Sequence, residues 1–139
     1  MATWRDRVSE SAQEDLDGLL DVALTMAEER LADKGAFYPF ALVVNGETGV
    51  VDVVGLPYAS APQAQELGYR AVGAMRSQIR AAAVVADVRL PETGGDGIDV
   101  FLEHAEGIAL GILQPYHLAD SEVVPGSLEA HSAQQRIWS

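Results

Sequence analysis

The sequence predicts a single α+β domain: a five-stranded, mainly antiparallel sheet with two helices on one face, in the order α-β-β-α-β-β-β. Three observations predict it. Apolar residues recur at helical spacing over 12–34 and again over about 62–80. Alternating or β-branched runs, bounded by glycine-containing turns, fill most of the remaining stretches up to residue 116. And 139 residues, nearly half of them apolar, suit one core in one domain spanning 1–139.

Residues 1–10 are polar apart from Met1, Ala2, Trp4 and Val8 and read as a loose N-terminus. Ser11 and Glu14 fit a capping box, in which hydroxyl and carboxylate each meet an otherwise unpaired backbone N–H. Leu16, Leu19, Leu20, Ala23, Ala27 and Leu31 then line one side of a helix that stops at Lys34-Gly35. Asp15, Asp17, Asp21, Glu28 and Glu29 are read as its polar side. The stretch PFALVVNGETGVVDVVG follows. Asn45-Gly46 marks a hairpin turn, because both residues tolerate positive φ, so 39–44 and 49–54 read as strands. Ser60 with Pro62 opens a second helix, with Ala64, Leu67, Ala71, Ala74, Met75 and Ile79 on one side.

Residues 82–90 alternate, and so do 98–104 and 108–116. Requiring apolar faces to coincide pairs Leu90 with Ile98, Val88 with Val100 and Ala86 with Leu102, and sets Arg89 against Asp99. The next turn pairs His104 with Ile108, Leu102 with Leu110 and Val100 with Ile112. Over residues 12–116 this element order resembles the roadblock and profilin-like scaffolds, a likeness of architecture only. Residues 117–139 read as an irregular tail that folds back on the domain, anchored by Ile137 and Trp138.

The formal charge of −12 repels nucleic acid and anionic membrane and suits a basic protein partner. No segment approaches the roughly 20 apolar residues of a membrane span. The first twenty residues hold no uncharged apolar run, so a cytoplasmic location is expected. The absence of cysteine excludes disulfides, thiol catalysis and cysteine-held zinc or iron–sulfur groups.

His104-Ala105-Glu106 is similar to the His-x-Glu of the cytidine and adenosine deaminases, and FYPFALVVNGETG resembles their first hairpin. That chemistry needs the tripeptide at a helix start and a Pro-Cys-x-x-Cys after it. Here the tripeptide falls in a β-hairpin whose three-residue loop places Gly107 where a left-handed residue is needed. The loop PETGGDG lacks the Gly-Lys-Ser/Thr ending of a phosphate loop and carries Glu92 and Asp96. No Gly-x-Ser-x-Gly elbow accompanies Ser121, Ser127, Ser132, His117 and His131.

Two function classes follow. The first is a non-catalytic protein–protein interaction module acting as a homodimer. It works through an outward sheet face or an edge strand, with Val85, Phe101, Leu113 and Trp138 as interface residues. On this reading no cofactor and no catalytic residue is expected. The alternative covering of that face is the tail itself. The second class is a small-molecule- or metal-dependent enzyme using His104 with Asp99 and Glu106. A third, weaker idea is an immunity-type inhibitor that covers a basic partner.

Overall fold

The computed structural model describes residues 3–56 and 61–138. A short 3-10 turn, Trp4–Arg7, leads into helix α1, Glu10–Lys34. Its cap is Ser9, two residues before the expected Ser11: the Ser9 side chain accepts the Ala12 N–H. Gly35 closes the helix in the left-handed region, φ 76°, donating to the Leu31 carbonyl. Strands β1 (Phe40–Asn45) and β2 (Val51–Val54) form a hairpin. Helix α2 covers Ala61–Ala74, so the expected start at Ser60 lies outside the described residues and the expected end at 80 is too late. Ile79 already belongs to β3 (Ile79–Leu90), followed by β4 (Gly95–His104) and β5 (Ile108–Ala119). The stretch expected to be an irregular tail carries two more strands, β6 (Glu122–Pro125) and β7 (Glu129–Ser132).

All seven strands join one antiparallel sheet, ordered β2-β1-β3-β4-β5-β6, with β7 beside the first half of β5. No helix among the described residues is long and apolar enough to cross a membrane. The α+β class stands, with seven strands among the described residues in place of five.

The helices lie on opposite faces of the sheet, not on one. Leu16, Leu19, Ala23, Ala27 and Leu31 of α1 pack against Leu42, Ala83, Val100, Leu102 and Leu110. Val72 of α2 packs on the reverse side with Ala41, Val43, Val84 and Phe101. The cause is visible in β3, where every residue from Ala81 to Ala86 is buried. A strand that is apolar on both sides needs a cover on each.

This also explains a register that differs from the sequence expectation. Gly94, at φ 73°, closes a four-residue loop, 91–94, by donating to the Leu90 carbonyl. Leu90 therefore pairs with Gly95, Arg89 with Asp96 and Val85 with Val100. That is three residues away from the expected pairing, and an odd shift exchanges the faces. Ile98, Val100 and Leu102 join Asp87, Val85 and Ala83 on the α1 face. The β4–β5 register is the expected one: His104 opposite Ile108, Leu102 opposite Leu110, Val100 opposite Ile112.

Candidate functional site

The tip of the β4–β5 hairpin holds the densest polar network of the described residues. Gly107 sits there at φ 102°, and its N–H reaches the His104 carbonyl. His104 is buried, its side chain 6% exposed. Its Nδ1 accepts the backbone N–H of Glu106 at 3.1 Å. The ring proton therefore lies on Nε2, which donates to Asp15 Oδ2 of α1 at 3.0 Å. Arg80 of β3 holds the same carboxylate with two bonds of 2.9 Å, from Nε and Nη2. Burial alone would push the Asp15 carboxyl up. The Arg80 and His104 bonds outweigh it and hold the group below its ordinary range.

Glu106 turns the other way. One oxygen accepts the Ser9 N–H at 2.9 Å and the other the Ser9 hydroxyl at 2.5 Å, and these bonds hold its carboxyl below its ordinary range. Thus His104-Ala105-Glu106 clamps the first turn of α1 to the hairpin tip. Both His104 ring nitrogens are engaged, so in this arrangement the imidazole offers no free lone pair for a metal.

The suggested trio His104, Asp99 and Glu106 is not brought together. Along β4, Asp99 and His104 point to opposite faces, and Glu106 reaches Ser9. Asp99 lies on the α2 face with Phe101 and Glu103. Burial pushes its carboxyl up, opposed by nearby His131, and no hydrogen bond relieves it among the described residues. The His131 ring crosses β5 at Gly111, where a Cβ would stand 2.3 Å from Nε2, so a larger residue there would make the exposed His131 ring swing aside. A carboxyl raised in the folded chain holds its proton more tightly there. It favours folding in acid and costs stability once both states are ionised. Asp99→Asn is therefore expected to raise the thermal midpoint at pH 7, with the gain vanishing near pH 3. An Asn variant that melts lower at pH 7 contradicts this. His117 is exposed at the outer end of β5 and shares no site with His104 or His131.

Among the suggested interface residues, Val85 is fully buried in the α1-side core. Phe101 is 6% exposed, under Tyr69 at a ring-centroid distance of 5.3 Å. Leu113 and Trp138 are half-buried. The sheet face expected to be open is covered by α2 and by segment 133–138, which docks beside Phe101 with Ile137 fully buried. That segment is held by Glu103, whose own side is 0% exposed. Glu103 accepts the N–H groups of Arg136, Ile137 and Trp138 at 2.7, 2.9 and 2.8 Å.

Asp15 and Glu103 escaped the sequence reading as key polar residues. For Asp15 a signal existed: it stands three residues after Ala12 and four before Leu19, on the buried stripe. For Glu103 none did, since a strand glutamate beside a turn reads as solvent-facing. No protein-family model matches the chain, and neither do the curated proteins or the solved structures.

Proposed function

We propose that the chain is a non-catalytic interaction module that pairs as a homodimer through edge strand β2. The observation that carries this is the edge itself. Among the described residues, β2 bonds only to β1. Val50 and Val53 on and beside it are 54% and 52% exposed, although Val53 stands opposite fully buried Leu42. A second β2, running antiparallel, extends the sheet and covers these side chains. The competing view is that a four-residue strand carrying Asp52 is a blunted edge that pairs with nothing.

Size-exclusion chromatography with light scattering separates the two. A dimer is expected for the native chain and a monomer with unchanged circular dichroism for Val53→Lys. A native chain that stays monomeric near millimolar concentration overturns the proposal. Salt adds a second readout. Two copies of charge −12 repel, so self-pairing strengthens as salt screens them. Capture of a basic partner by exposed α1 carboxylates such as Glu14, Asp21 and Glu29 weakens with salt.

A further inference from the structure

Helix α1 does not cover the whole of its sheet face. At the β5–β7 end, between the 3-10 turn and β7, two adjoining depressions of about 500 Å³ and about 180 Å³ share Trp4, Leu110 and Ala130. The smaller one is floored by Leu16, Leu102 and Ile112, and Leu128 forms a wall while 49% exposed. The larger is rimmed by Thr3, Arg7 and Ser132, and His131 borders it while turning its ring across β5 toward Gly111. An apolar floor beside a few polar groups is a common feature of small-ligand sites, and the larger depression falls in their range of volume.

The charge around the mouth runs against that of the whole chain. Of nine basic side chains in a protein of net charge −12, two line this groove. Arg5 stacks over Trp4, 4.5 Å from the ring centre, and is neutralised by Asp17 through two bonds of 2.8 Å. Asp17 is the sole carboxylate among the lining residues given for the two depressions. Arg7 has no ion pair among the described residues and is exposed. The groove thus presents one uncompensated guanidinium at the end of an apolar trough. The simplest competing view is a water-filled gap between loosely packed elements, with Leu128 and Arg7 bordering neighbouring depressions independently of each other.

We propose that this groove binds an elongated apolar carboxylate, with its chain over Leu102 and Ile112 and its head at Arg7. Trp4 is the reporter. The chain holds two tryptophans, so Trp138→Phe leaves Trp4 alone to observe. Titrating that variant with sodium decanoate, below its micelle concentration, should shift Trp4 emission saturably. Arg7→Glu should weaken binding at least tenfold, and so should replacing decanoate by decanol. Leu128→Asp, also on the surface, should abolish the shift. No saturable change overturns the site. Equal binding of decanol, or no effect of Arg7→Glu, overturns the carboxylate. Unchanged binding in Leu128→Asp places the ligand elsewhere and overturns the groove.

Discussion

Glu103→Ala is expected to lower the free energy of unfolding by about 3 kcal/mol. The carboxylate is fully buried and makes no ion pair among the described residues; three backbone N–H groups are its partners. Three charge-assisted bonds, each worth roughly 1.5–3 kcal/mol, offset a burial penalty of several kcal/mol. Removing the side chain removes both terms, so neither sets the loss. What remains is a choice for segment 136–138. It can stay and leave three donors facing a void, at about 1–3 kcal/mol each. Or it can lift off, hydrate those donors and expose Ile137, at about 1.5–3 kcal/mol plus the contacts of Trp138. The cheaper route wins, and it costs about 3 kcal/mol.

That route has a local signature. Amides of residues 133–138 should lose exchange protection in Glu103→Ala while those of β3 and β4 keep theirs. Glu103→Gln should fall between. Its carbonyl can serve Arg136 and Ile137, but its amide then faces the Trp138 N–H donor to donor. A loss below 1 kcal/mol, with the segment still protected, contradicts this account of the lock.

Legibility followed the number of independent constraints on each element. The β4–β5 register was readable because two signals agreed: alternation on both strands, and a glycine at the one turn position that needs positive φ. The β3–β4 register was not. Its only test was that apolar faces coincide, and Ala81 to Ala86 are apolar on both faces, so a three-residue slip passed unseen. The same run hid the second covered face and placed both helices on one side. The site was less legible than the fold. His-Ala-Glu was rightly a turn, but its partners Ser9 and Asp15 lie 97 and 89 positions away along the chain, and pattern carries no information at that range. Edge strand β2 and the groove at Trp4 depend on what packing leaves uncovered, which no local pattern states.

Asp15→Ala is expected to lower the free energy of unfolding by about 2 kcal/mol, through His104 more than through Arg80. The Arg80 side chain is 36% exposed, so once released it turns to water at little cost. His104 cannot. Its side chain is 6% exposed, and its Nε2–H is left without an acceptor, a loss of about 1–3 kcal/mol for a buried donor. His104→Ala in the Asp15→Ala background should therefore cost much less than in the native chain. Acid gives a separate test. The Asp15 carboxyl is held below its ordinary range, so its contribution is complete above the unfolded value, about pH 4, and is lost as pH falls through the lower folded value. Glu106, held down by Ser9, acts in the same direction. Asp15→Asn removes one of these two terms. Its stability should fall less steeply than that of the native chain below about pH 4 and differ from it most at neutral pH. Parallel acid limbs for the two proteins mean that Asp15 carries no differential charge stabilisation. The clamp on α1 is then one of shape alone.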